Sequence, residues 1–123
     1  MLRKISIWAA AVLLGVLFVL VGWSKVAGPS GAGWGVRLSH WGYPAAFRYV
    51  IGAVEMLAGL GLLVPPLRRL AAIALMVVMA GALATHLLHA EFVRILPPLL
   101  FGGWAFGLYY CQPGAVAKAP GEV

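Results

Sequence analysis

RYVIGAVEMLAGLGLLVPP, residues 48–66, decides how this chain is read, because it sets one carboxylate, Glu55, inside an otherwise apolar run. If the run lies in lipid, an isolated charged Glu55 is expensive, so it is expected to be neutral, paired, or turned toward a protein-lined cavity. Arg48 opens the run, and Pro65 and Pro66 stop a helix. Arg48 and Glu55 lie seven residues apart, on nearly one helix face with Gly52 and Gly59.

The rest of the chain places that run in a membrane. Of 123 residues, 63% are hydrophobic and only 10% are charged, too little charge to cover a soluble domain. Further apolar runs lie at 5–23, 70–88 and 95–110. A helix needs roughly 20 residues, with a range of about 17 to 25, to cross the hydrocarbon. The expected fold is all-α: a polytopic membrane protein built as an antiparallel four-transmembrane-helix bundle, with spans near 5–25, 48–64, 69–89 and 95–110. Residues 1–112 form its single domain and 113–123 a flexible tail. MLRK before the first run has the look of a signal peptide, but no clean cleavage site follows near 27–32 and further spans do. The first run is expected to be retained as a helix.

Between the first two spans, VAGPSGAGWGVRLSHWGYPAAF (26–47) is too Gly-rich for a stable continuous helix and reads as a Gly/aromatic-rich loop. Its Trp34, Trp41, Tyr43 and Phe47 suit either an aromatic belt at the headgroups or a segment that lids the bundle.

The net charge of +6 comes from nine dispersed basic residues, with no basic helix or patch to follow a phosphate backbone, so nucleic-acid binding is excluded. Arg3, Lys4, Arg68, Arg69 and Lys118 fall on one side of the expected bundle, and Lys25, Arg37, Arg48 and Arg94 on the other or at its border. The bias favours cytoplasmic N and C termini. A single cysteine, Cys111, excludes an internal disulfide and a thiol-disulfide enzyme acting alone.

Alternation of the spans brings polar residues to one end. Lys25 closes the first span, Arg48 opens the second with Glu55 roughly 10 Å deeper, and His86 sits roughly 5 Å inside the end of the third at about 1.5 Å per residue. Lys25, Arg48, Glu55 and His86 are therefore candidate ligand-binding residues, with His40 and Trp41 contributed by the loop and Arg37 able to cover the same locus. Two outcomes are open: a buried ion pair that only holds register, or a cavity that holds a small polar or quinone-like headgroup. Metal binding is not expected: HLLH lacks the spacing of a zincin helix, and no Glu-x-x-His pairs are present. GPSGAGWG follows no strand and lacks the GK[ST] of a phosphate loop.

Several stretches are similar to one family. GWSKVAG (22–28), the Gly-x-x-Glu rhythm of RYVIGAVEMLAGLGLLVPPLRRLAAIAL (48–75) and MVVMAGALATHLLHAEF (76–92) resemble, in that order, the first three helices of short DoxX-like proteins. The resemblance covers about 5–110. It implies a four-helix protein of the bacterial inner membrane and a link to redox physiology, the family taking its name from subunits associated with thiosulfate-to-quinone oxidation. It singles out Lys25, Glu55 and His86, with Glu55 and His86 as the catalytic candidates for proton transfer. The cofactor is open, a quinone being one option. The expected partners are the lipid bilayer, a membrane or peripheral oxidoreductase subunit, and a second copy of the chain. The alternative is a non-enzymatic structural or assembly partner of another membrane complex; whether the chain is an enzyme stays open.

Overall fold

The structure is a computed structural model and describes residues 1–112; residues 113–123, where the flexible tail and Lys118 were expected, lie outside the described residues. Five helices follow one another: α1 (Leu2–Val26), α2 (Gly28–His40), α3 (Phe47–Leu62), α4 (Arg68–Leu88) and α5 (Leu96–Tyr110). Short 3-10 turns at Pro65–Leu67 and Phe92–Ile95 precede α4 and α5.

The described residues are all-α, but the four-span expectation is corrected. Three helical segments, Leu2–Val26, Pro65–Leu88 and Phe92–Tyr110, are long and apolar enough to cross a membrane, and they make this a multi-pass membrane protein. The run around Glu55 is not among them. It becomes α3, with 16 residues, about 24 Å at 1.5 Å per residue, against a hydrocarbon core of about 30 Å. Its length is cut at both ends: Gly42 and Pro44 hold the chain in turns before it, and Pro65 and Pro66 enter a 3-10 turn after it.

The Gly-rich loop is corrected as well, since most of it is helix α2. Gly28 takes φ +62°, which breaks the chain away from α1, and Pro29 supplies a preset φ in the first turn of α2. At the far end Gly42 takes φ +89°, and the Tyr43 N–H reaches the Leu38 carbonyl at 2.8 Å, a glycine-closed helix end. Inside α2, a Cβ at Gly31 would run into the Arg48 guanidinium. The glycines expected to prevent this helix let it lie close against its neighbours.

The tightest seam joins α1 to α3. A Cβ on Gly15 would come within 2.7 Å of the Gly59 carbonyl oxygen, and one on Gly22 within 2.5 Å of that of Gly52. The pairs 15–59 and 22–52 run in opposite senses, so the two helices are antiparallel. Backbones meet with no side chain between them, and Cα–H···O contacts accompany such approaches.

Packing divides the bundle into two ends. Leu14, Phe18, Leu62, Leu75, Ala105 and Leu108 belong to a buried cluster drawn from the first two thirds of α1, the end of α3, the first half of α4 and the end of α5. Arg68 stacks over Trp8 at 4.5 Å and Arg69 over Tyr109 at 6.0 Å, which places the start of α1, the start of α4 and the end of α5 together at this closed end. At the other end the same helices surround a cavity, and α2 forms part of its wall.

Candidate functional site

The cavity measures about 740 Å³. Its lower wall is apolar, with Phe18 and Val21 from α1, Val78 and Met79 from α4, and Pro98 and Phe101 from α5. Polar groups enter from four directions: Lys25 at the end of α1, Trp34 and Arg37 on α2, Glu55 on α3, and Thr85 and His86 on α4.

The inner polar element is the Lys25–Glu55 pair. Lys25 Nζ donates to Glu55 Oε1 at 2.9 Å and to Oε2 at 2.8 Å, with Lys25 6% exposed and Glu55 1%. Gly22 and Gly52 make this contact possible. Each lies three residues before one member of the pair, and their close approach brings the two helices near enough for the side chains to meet. Lys25 Nζ also stands 4.4 Å from the centre of the Trp34 ring, whose π face attracts a cation. Arg37 lies over the same ring at 5.1 Å.

The outer element centres on Glu91, in the turn after α4. Trp41 Nε1 donates to Glu91 Oε1 at 2.9 Å, His86 Nδ1 meets the same oxygen at 3.1 Å, and Arg94 lies 3.3 Å from Oε2. The Trp41 and His86 rings meet edge to face at 5.3 Å. Close by, the Tyr43 hydroxyl is 2.8 Å from Thr85 Oγ1. These contacts clip the end of α2 to the end of α4. The hydrogen bond to His86 holds the Glu91 carboxyl below its ordinary range, with Arg94 and Trp41 adding to the effect.

The structure brings together Lys25, Glu55, His86 and Trp41 around one cavity. It does not bring in Arg48 or His40. Arg48 turns away from Glu55: its guanidinium donates to the Lys25 carbonyl at 3.4 Å and to the Tyr49 hydroxyl, and it lines a separate shallow groove beside Gly35 and Ala45. Seven-residue spacing aligns Arg48 with Glu55 along one face, yet α2 packs over the start of α3 and takes the Arg48 side chain. His40 is exposed at the end of α2 and does not line the cavity, because the helix that replaces the expected loop fixes its direction outward.

Sequence reasoning missed Glu91, Arg94, Tyr43 and Thr85. One signal was available: Glu91 is one of three acids in the whole chain, and Glu91-x-x-Arg94 has the spacing of a local ion pair. Among the described residues, no three His, Cys, Asp or Glu side chains converge in a metal-binding group.

Comparison with known families is decisive on ancestry. The model of the DoxX-like family matches residues 9–108, most of the chain and all of the cavity-lining residues. The chain belongs to the DoxX-like family. No curated protein matches it. In this DoxX-like chain the three residues singled out by resemblance do not form one hydrogen-bonded group: Lys25 and Glu55 bind each other, and His86 binds Glu91.

Proposed function

We propose that the protein is a membrane-embedded binding subunit that holds a quinone or another small hydrophobic or anionic molecule beside an oxidoreductase of the same membrane. The observation that carries this reading is the cavity itself. Its 740 Å³ falls within the roughly 300 to 1,000 Å³ of small-molecule sites, and its apolar wall with a few convergent polar groups has their usual make-up. In this role the polar end of the cavity, where the Lys25–Glu55 pair lies, receives the ligand's oxygen-bearing end, and His86 is a group able to exchange a proton with it. The closed end, with Arg68 and Arg69, faces the cytoplasm in this reading, in keeping with the positive-inside rule.

The test is saturable binding of a short-chain benzoquinone to the full chain in lipid nanodiscs, with empty nanodiscs subtracted. Gly81 lines the cavity and has open space at its Cβ, so Gly81→Leu is expected to fold and to remove the binding. If neither quinone nor any other apolar probe binds saturably, or if Gly81→Leu leaves binding intact, the reading fails.

One observation favours a second reading. Lys25 and Glu55 satisfy each other through both carboxylate oxygens, so the pair is complete without a ligand, as expected of a structural or assembly partner. Under that reading Glu55→Gln lowers the folded protein and its complex together. Under the first, Glu55→Gln protein that survives in membranes loses ligand binding or a quinone-dependent activity.

A further inference from the structure

The charges around the cavity are unequal in a way that specifies its ligand. Five charged side chains apart from histidine stand on or against its polar end: Lys25, Arg37 and Arg94 as cations, Glu55 and Glu91 as carboxylates. Lys25 is consumed by Glu55 in the bidentate contact, and Arg94 is met by Glu91 at 3.3 Å. Glu91 is further engaged by Trp41 and His86. Arg37 is left. Among the described residues no carboxylate meets it, and its neighbour is the Trp34 ring. The cavity thus presents one uncompensated positive charge and no free carboxylate.

The entrance adds a second constraint. Val77 lines the cavity and is 65% exposed, near the middle of α4 and within the Pro65–Leu88 membrane-spanning segment. Leu17 of α1 also combines lining with exposure. Lining residues exposed at that depth put one side of the cavity toward hydrocarbon, within reach of a molecule already dissolved in the bilayer.

The geometry points to a single-chain carboxylate amphiphile as the ligand, with its carboxylate on Arg37 above Trp34 and its chain between α1, α4 and α5 against Phe18, Met79 and Phe101. This rests on the reading of the cavity as a ligand site and narrows it. A guanidinium matches a carboxylate with two parallel hydrogen bonds, and one net positive charge suits one negative charge. A cationic amphiphile meets only repulsion there, and a neutral one leaves Arg37 unused. Lys25 and Arg48, the other two cations among the candidate ligand-binding residues, are otherwise engaged.

The experiment is equilibrium binding of labelled dodecanoate, dodecanol and dodecyl phosphate to the full chain in zwitterionic nanodiscs at pH 8, with empty nanodiscs subtracted. Dodecanoate is expected to bind at least roughly 10-fold more tightly than dodecanol, as one charge-assisted hydrogen-bonded contact implies. Arg37→Gln, a change at an exposed position, is expected to erase that ratio and leave dodecanol unaffected. Gly81→Leu is expected to weaken both. Equal affinities in the native chain, or a ratio that survives Arg37→Gln, overturns the carboxylate assignment while dodecanol or quinone binding keeps the cavity as a ligand site. Tighter binding of dodecyl phosphate than dodecanoate also overturns it, in favour of a phosphate head. If no probe binds saturably, the ligand-site reading and this inference fall together.

Discussion

Each end of the bundle buries one cation, and the two are handled differently. Arg68 at the closed end is 3% exposed, donates from Nε to the Leu62 carbonyl at 2.8 Å and stacks on Trp8, yet one of its terminal nitrogens has no partner among the described residues. Lys25 at the cavity end is 6% exposed and is met by both oxygens of Glu55. The closed end is filled by apolar side chains and uses Arg68 to tie off the last turn of α3, whose carbonyls have no helical partners. The cavity end has space instead of packing, and a full counter-ion is the means of keeping a buried ammonium there. The contrast teaches that polarity is incidental to packing at one end and constitutive at the other.

The largest expected effect breaks that contrast directly. Glu55→Ala leaves Lys25 buried without its partner and is expected to destabilise the protein by about 3 to 5 kcal/mol, whereas the double replacement Lys25→Met with Glu55→Leu is expected to recover most of the loss. Arg68→Met removes one charge-assisted hydrogen bond of about 1.5 to 3 kcal/mol but also removes a buried unpartnered nitrogen whose burial costs about 1 to 3 kcal/mol, so its net effect is expected near zero. Unfolding in mixed micelles of rising dodecyl sulfate fraction measures all three. Equal losses for Glu55→Ala and Arg68→Met would erase the distinction between the ends.

Next in size are the glycines. Gly59→Ala forces a Cβ to within 2.6 Å of the Gly15 carbonyl oxygen, and since backbone must move, about 1 to 3 kcal/mol of destabilisation is expected. Gly81→Ala meets nothing within 4 Å and is expected to be neutral or to stabilise by up to about 1 kcal/mol, since alanine favours helix over glycine. The same micelle titration separates the two. A costly Gly81→Ala would mean that α4 is packed where the cavity is described.

Much of this was legible in the residues. The order of the four apolar runs, the proline stop at 65–66 and the clustering of Lys25, Glu55 and His86 at one end all follow from periodicity and alternation. α2 was not legible, because glycine content reports the backbone entropy a helix costs and not the tertiary packing that offsets it. Gly31 and Gly35 are buried, and at Gly31 the lack of a side chain is what lets the helix dock, since a Cβ there would run into Arg48. The missing fourth candidate span has a different origin: the apolar run 48–64 is itself short, and the proline turn ends its helix at Leu62, leaving Phe47–Leu62 with 16 residues. Arg48 and Glu91 show the limit for the site. Spacing along one helix aligned Arg48 with Glu55, whereas the partners that decide both residues come from other elements, the Lys25 carbonyl for Arg48 and Trp41 for Glu91.

A smaller effect concerns the turn that presents Glu91. Ala90 sits at φ +56°, a left-handed position where a Cβ costs roughly 1 to 2 kcal/mol. The Glu91 N–H returns to the His86 carbonyl at 2.8 Å, the arrangement that usually carries glycine. Ala90→Gly is expected to stabilise by about 1 kcal/mol or less, the relief of strain being offset in part by the greater freedom of glycine when unfolded. A loss of stability on thermal melting would mean that the alanine methyl makes a contact worth more than the strain.

The smallest effect is confined to acid and to the cavity end. The Glu91 carboxyl is held below its ordinary value, so the folded state binds this proton less readily than the unfolded chain. The stabilisation it supplies is therefore present above the unfolded value of about 4.3 and is lost as pH falls through the lower folded value. Protonation removes an acceptor charge shared by Trp41, His86 and Arg94, and the end of α2 is then held mainly by Tyr43 on Thr85. The indole N–H resonance of Trp41, followed by NMR in nanodiscs, is expected to shift only as pH falls below the ordinary carboxylate range, and Glu91→Gln is expected to abolish that shift at every pH. Trp8, which stacks on Arg68 at the closed end, has no carboxylate beside it among the described residues and is expected to stay still. A shift of Trp8 in step with Trp41 would show that acid loosens the whole bundle, and the division into a packed end and a clasped end would not hold.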